Sequence, residues 1–118
     1  MQIDERRRGD VSVLDLHGKI AGGDGEALLK NAVTNLAKQG VRKVVLNFAD
    51  VSYMDSVGVS TIVRSHLTLR KDGGQLKLLN LPRHIAHLLT VTRLTSVFDT
   101  FDDESDAVRS FDRTAPQA

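Results

Sequence analysis

Four stretches of this chain bring together residue types that serve catalysis or ligand binding elsewhere. Gly22-Gly23-Asp24-Gly25 lies between a predicted strand and a predicted helix, where a phosphate cradle would sit. It lacks the Lys-Ser/Thr ending of a phosphate loop and the spacing of a dinucleotide fingerprint, so it reads as a turn. Gly58-Val59-Ser60-Thr61-Ile62 is half of a nucleophile elbow. Its second Gly is missing, and Ser60 falls inside a predicted helix rather than on a strained turn. His84 and His87 share a helix face, but no third metal ligand is near them in the sequence. Arg6-Arg7-Arg8 lies on a predicted strand, which divides its charge between two faces. With no Cys in the chain, thiolate catalysis, disulfides and Cys-ligated zinc are excluded. No nucleophile–base pair or metal triad emerges, and the expectation is a protein that is not an enzyme and needs no cofactor and no metal.

The fifth stretch is Tyr53-Met54-Asp55-Ser56-Val57-Gly58-Val59. It follows a predicted central strand and opens a helix, at the carboxyl edge of a sheet where open α/β folds place their function. If Asp55 is the N-cap, Ser56 is the first helical residue, and Met54 and Val59 occupy the positions of a hydrophobic staple. Asp and Ser are also ordinary helix starters, and the residues alone leave both readings open.

The surrounding elements must hold this segment in place. Residues 2–8 read as a charged edge strand, and Gly9-Asp10 as a tight turn. Val11 to Leu16 reads as a second strand, with His17 to Ile20 leading out into a loop. Leu28, Ala32, Val33, Leu36 and Ala37 recur at helical spacing; Asp24 is the expected N-cap and Gly40 the stop. Val44 to Phe48, apolar on successive residues except Asn47, predicts a strand covered on both sides, followed by a loop over 49–54. A second helix carries Val59, Ile62, Val63 and Leu67 inward and ends near Asp72-Gly73-Gly74. Leu76 to Leu79 is a further core strand, and Pro82 fits the first turn of a helix carrying Ile85, Leu88 and Leu89. Val97 to Phe101 reads as a last strand, and Ala107, Val108 and Phe111 as the stripe of a closing helix. Alternating strands and helices predict a mostly parallel sheet with crossover helices and an antiparallel N-terminal edge strand.

At 118 residues this is one α/β domain, expected over 1–113 with a frayed tail at 114–118. Sixteen Lys+Arg against fifteen Asp+Glu leave a net charge of +1, which is no footprint for nucleic acid. Arg6-Arg7-Arg8 and the acidic run from Asp99 to Asp106 read as solvated faces. No apolar run approaches the ~20 residues of a membrane span, and the first residues lack a signal peptide's apolar stretch. A cytoplasmic protein with no nucleic-acid or membrane partner is expected.

Phe48-Ala49-Asp50-Val51-Ser52-Tyr53-Met54-Asp55-Ser56-Val57-Gly58-Val59 resembles the signature of STAS domains, named for sulphate transporters and anti-sigma factor antagonists. The resemblance continues through Gly73-Gly74-Gln75-Leu76-Lys77-Leu78-Leu79-Asn80-Leu81, Leu88-Leu89, Thr92-Arg93-Leu94 and Val97-Phe98. Leu16-His17-Gly18-Lys19-Ile20 matches the family's second strand and its exit, so the likeness spans about residues 3–111. It implies a stand-alone anti-sigma factor antagonist. Such proteins bind an anti-sigma factor that is also a serine kinase, and the kinase phosphorylates the Ser of the Asp-Ser pair, here Ser56. The phosphorylated form lets go, and a metal-dependent serine/threonine phosphatase, a transient partner, restores binding. ATP and magnesium belong to the kinase.

The implied partner interface is Asp24, Gly25, Asp55, Ser56, Val57, Gly58 and Ser60, with Gly58 expected to let partner or backbone atoms approach the helix start. Asp55 either caps the helix or hydrogen-bonds the partner. Val57 stands where many relatives carry a second Ser or Thr, and Ser60 where many carry Gly. The alternative implied by the resemblance is a constitutive STAS scaffold subunit of a lipid-transport or stress-signalling complex, without phosphorylation.

Overall fold

The computed structural model describes residues 1–113; the tail expected to fray at 114–118 lies outside the described residues. The elements run β1 (Gln2–Arg8), β2 (Val11–Ile20), α1 (Asp24–Lys38), β3 (Lys43–Met54), α2 (Ser56–Lys71), β4 (Gln75–Leu79), α3 (Arg83–Val91), β5 (Thr100–Phe101) and α4 (Glu104–Arg113). The five strands form one sheet in the order β1-β2-β3-β4-β5. β1 pairs with β2 antiparallel through a turn at Gly9, whose φ of 64° suits a residue without Cβ. All other pairs are parallel. This is the mixed α/β sheet that the alternating pattern predicts.

Side chains alternate between two cores, because successive strand residues face opposite ways. Leu14, Leu16, Val44, Leu46, Leu76 and Leu78 pack with residues of α1, α2 and α3 in the larger core. Val11, Val13, Val45 and Leu79 pack under α4 with Ala107 and Phe111 in a smaller one. Both faces of the central strands are therefore buried, which explains the unbroken apolar run at 44–46.

Both charge runs are largely exposed, as expected, and they touch at Glu104. Arg6 donates to Asp15 at 2.6 Å and to Glu104 at 2.6 Å, and Arg8 also reaches Glu104. These bonds tie α4 to the edge strand. Asn47 extends the chain of polar contacts by donating to Asp15 and accepting from Asn80.

Several expectations are corrected. β2 does not end at Leu16 but continues to Ile20, and β3 continues through 49–54 to Met54 instead of looping. The two extensions pair with each other, His17 with Asp50 and Ile20 with Met54. Register shifts between Asp15 and His17 and between Gly18 and Lys19 break the two-residue period, so the pairing is invisible in the pattern. Gly23, not Asp24, is the N-cap of α1, and Asp24 is its first helical residue without a side-chain cap bond. In α1 Leu29 fills the core while Leu28 is exposed. In α2 Leu67 is exposed and Leu69 is buried. Pro82 stands at the N-cap of α3, one position before its first turn. The last strand shrinks to Thr100–Phe101, and Phe98 joins the core from the preceding turn.

Candidate functional site

Because Ile20 pairs with Met54, β2 and β3 end side by side at one rim of the sheet. The helices that follow, α1 and α2, therefore start from the same rim. A Cβ built on Gly22 would sit 3.9 Å from a Val57 methyl, so the loop before α1 lies against the first turn of α2. Glu26 of α1 approaches Arg64 of α2 at 3.6 Å.

Asp55 is the N-cap of α2. Its backbone is extended, at φ −112° and ψ −172°, and its carboxylate accepts the Gly58 N–H at 3.0 Å. Its own carbonyl accepts the Val59 N–H at 3.0 Å, and its N–H donates to the Ile20 carbonyl at 3.4 Å. Met54 and Val59, the staple pair, are both buried in the larger core. The capping expectation for Asp55 is thus met, and Ser56 is the first residue of the helix.

Ser56, Val57 and Ser60 are exposed, as are Asp24 on the adjoining helix and Tyr53 just before the cap. Gly25 and Asp55 are half-buried. Ser60 lies one turn beyond Ser56 and shares its face. The Gly58 N–H is occupied by Asp55, leaving the Ser56 and Val57 amides as the open donors of the first turn. An anion on Ser56 would meet those donors and the positive end of the helix, but also the Asp55 carboxylate.

Of the two approaches expected at Gly58, by backbone or by partner atoms, the first is the one observed. Gly58 is buried, and a Cβ there would lie 2.2 Å from the Ile20 carbonyl oxygen and 2.6 Å from Met54 Cγ. The close approach it permits is made by the chain's own β2 end, not by a partner. Gly58 is therefore withdrawn from the accessible surface, while Asp24, Gly25, Asp55, Ser56, Val57 and Ser60 lie around one rim.

Tyr53 lies outside the interface that the resemblance implies. It is the sole tyrosine of the chain, 47% exposed, three residues before Ser56. An aromatic two residues before a helix cap is the signal the sequence carries for it. His84 and His87 are exposed on α3, and among the described residues no three His, Cys, Asp or Glu are grouped to hold a metal ion. No helix of the described residues is long and apolar enough to cross a membrane.

The sequence and the fold match one family. The STAS domain model matches residues 2–107, and the chain belongs to that family. Among curated relatives, it is similar to the anti-sigma-B factor antagonist of Bacillus subtilis (strain 168), 36% identical over 72 residues. That match covers 61% of this chain and 65% of the relative, a little less than two thirds of its length. Among solved structures, a candidate anti-sigma factor antagonist from Thermotoga maritima superposes with a TM-score of 0.85 at 22% identity, over 92% of each chain. The Bacillus cell fate determinant SpoIIAA in its phosphorylated form gives a TM-score of 0.74 at 19% identity, over 93% of this chain and 99% of that one. At these identities the structural likenesses establish the fold.

Proposed function

We propose that this chain is an anti-sigma factor antagonist, a cytoplasmic binding protein without catalysis of its own. It docks on an anti-sigma factor that is also a serine kinase, through the rim formed by Asp24, Gly25, Asp55, Ser56, Val57 and Ser60. Phosphorylation of Ser56 by that kinase dissolves the complex, and a serine/threonine phosphatase restores binding. Membership of the STAS family and the likeness to a curated anti-sigma-B factor antagonist support the class of function. A phosphorylated form of the structural relative SpoIIAA supports the mode of regulation.

The observation that carries the reading is the placement of Ser56. Its side chain is exposed at the first position of α2, and none of the described residues takes its hydroxyl in a hydrogen bond. A kinase can reach this oxygen without unfolding the domain. Phosphate adds ~1.5–2 negative charges. Within the domain those charges are tolerated by the open amides and the helix dipole, so the fold persists. At an interface shaped around a neutral hydroxyl, the phosphate must be desolvated beside Asp55. A loss of about 2.7 kcal/mol there weakens binding about a hundredfold. Tyr53 and Val57, both exposed and within three residues of Ser56 in the chain, supply apolar contact area of the kind such an interface needs.

The test is to incubate the protein with its cognate anti-sigma kinase and magnesium-ATP and to map the phosphate by mass spectrometry. Phosphate on Ser56, absent from Ser56→Ala, is expected. Phosphate elsewhere, or none together with unchanged binding by Ser56→Asp, overturns the switch. A stable complex with a larger assembly, indifferent to kinase, would identify a constitutive scaffold instead.

A further inference from the structure

An open groove of about 770 Å³ runs along the outer face of α2 between that helix, Lys30 of α1 and the segment at Val97. Its charged lining is entirely cationic: Lys30, Arg64, Arg70 and Lys71. The chain as a whole carries a net charge of only +1, so this is a local concentration of positive charge. Glu26 approaches Arg64 at 3.6 Å, and no carboxylate among the described residues pairs with Lys30, Arg70 or Lys71. Between the cations lie two exposed aliphatic side chains, Leu67 at 57% and Val97 at 43%. Leu67 and Val97 together form a small exposed apolar patch among these cations.

We infer that this groove is a docking surface for an acidic segment of a protein partner, one that pairs carboxylates with the four cations and rests an apolar side chain on Leu67 and Val97. The groove is continuous with the rim, because Ser56, Ser60, Arg64, Leu67 and Lys71 follow one another at helical spacing down one exposed face of α2. A partner seated at Ser56 can extend along this face. The inference rests on the proposed function for the view that the partner is a protein, and adds the chemistry of the segment it presents.

Charge and shape favour this occupant over other anions. Single-stranded nucleic acid stacks its bases on exposed aromatic rings; the only ring lining the groove is His66, 8% exposed, and Phe98 behind it is buried. A bilayer surface takes a broad stripe of projecting apolar side chains, whereas Leu67 and Val97 are the only exposed large aliphatics lining this groove. Carboxylates interleaved with an aliphatic anchor fit both parts of the lining. Such pairing steers association and weakens with salt.

His66 forms part of the floor. It is 8% exposed, packs edge-on against Phe98 with ring centroids 5.1 Å apart, and its buried Nδ1 has no hydrogen-bond partner. Burial, followed by the charge of Arg70, holds the ring below its ordinary pKa, with Asp99 opposing. Lys77 and Asp99 line the adjoining recess on its other side. Carboxylates seated in the groove therefore raise the His66 pKa, which gives a reporter at the site itself.

The experiment uses the full chain and a fluorescent amphipathic Glu/Leu peptide, followed by anisotropy at low and physiological salt. A Lys/Leu peptide of the same pattern, a phosphatidylserine vesicle and a DNA duplex serve as the other arms. The expected result is saturable binding of the Glu/Leu peptide, weakened at least tenfold in Arg64→Glu/Lys71→Glu and by salt, with the His66 NMR titration moving upward on binding. Leu67→Ala weakens binding severalfold and leaves the circular dichroism spectrum unchanged. Equal binding by the charge-reversed variant, preference for the Lys/Leu peptide, or tighter binding of vesicle or duplex overturns the inference. The peptide titration uses neither kinase nor phosphate. Failure of the groove is thereby separated from failure of the Ser56 switch, whose phosphorylation the groove variants can still undergo.

Discussion

Gly58 faces the Ile20 carbonyl so closely that an added Cβ would stand 2.2 Å from its oxygen. The same oxygen accepts the Asp55 N–H at 3.4 Å. The end of β2 therefore sets the height at which α2 begins, and with it the exposure of Ser56. Gly58→Ala is expected to force the helix start away from β2 and to destabilise the protein by about 2–3 kcal/mol, as overpacking does. Chemical denaturation checks this. An unchanged midpoint would show that the helix start is not held by this approach.

Asp55 serves as a cap through its carboxylate bond to the Gly58 N–H. Asp55→Ala is expected to lose about 1 kcal/mol, and Asp55→Ser or Asp55→Asn, which can cap, much less. Comparing their partner affinities separates capping from contact. If Asp55→Asn keeps stability but loses binding, the carboxylate itself meets the partner. If Asp55→Asn binds as wild type, capping accounts for the residue.

The hydrogen bond from Arg6 is the largest influence holding the Asp15 and Glu104 carboxyls below their ordinary values. Their reference values are 3.8 and 4.5, so the stabilisation is complete above about pH 4.5 and is lost as pH falls through the folded-state values. Arg6 is 43% exposed, so solvent screening limits the effect. Arg6→Gln is expected to lose about 1 kcal/mol at neutral pH. That difference from wild type shrinks on acidification, and a pH series of denaturation curves measures it. A difference that stays constant down to pH 3 would contradict the assignment.

Lys77 lies 1% exposed beneath α4. Its ammonium donates to the Ser110 hydroxyl at 2.7 Å and lies 4.5 Å from the centre of the Phe111 ring, with Asp99 at 3.6 Å. Burial lowers its pKa, so the folded state sheds this proton before the unfolded chain does. Stability attributable to Lys77 then rises with pH from the folded value up to the reference 10.5. Lys77→Met removes that slope and, by replacing a buried charge with an apolar group of similar length, leaves stability at neutral pH unchanged or about 1 kcal/mol higher. The Ser110 hydroxyl keeps its bond to the Ala107 carbonyl in the variant. A loss of several kcal/mol would show that the ammonium is a net stabiliser.

The rim around Ser56 was legible because helix starts are written locally. A cap, a first helical residue and a staple pair occupy fixed offsets, and all four stand in 54–59. What the neighbouring strand does was not legible. The sequence leaves open whether partner or backbone atoms approach Gly58 until the end of β2 is seen against it, and that contact spans residues far apart in sequence. Hydropathy misplaces the inner face of α2 for a related reason. Thr61 and Ser65 are buried, their hydroxyls donating to the Val57 and Thr61 carbonyls one turn back. Polar residues satisfied in this way enter a core without leaving an apolar stripe, and Leu67 is mistaken for core in their place. Lys77 is hidden likewise, because a buried lysine has no signature in a strand of alternating leucines.

The central claim is that a phosphate on Ser56 decides docking while the fold stays intact. Calorimetric titration of the cognate anti-sigma factor with unmodified and Ser56-phosphorylated protein tests it most directly, with circular dichroism run on both forms. A dissociation constant about a hundredfold weaker for the phosphorylated form, at unchanged helical content, is the predicted result. Equal affinities, or a phosphorylated form that has lost its helices, would contradict the claim.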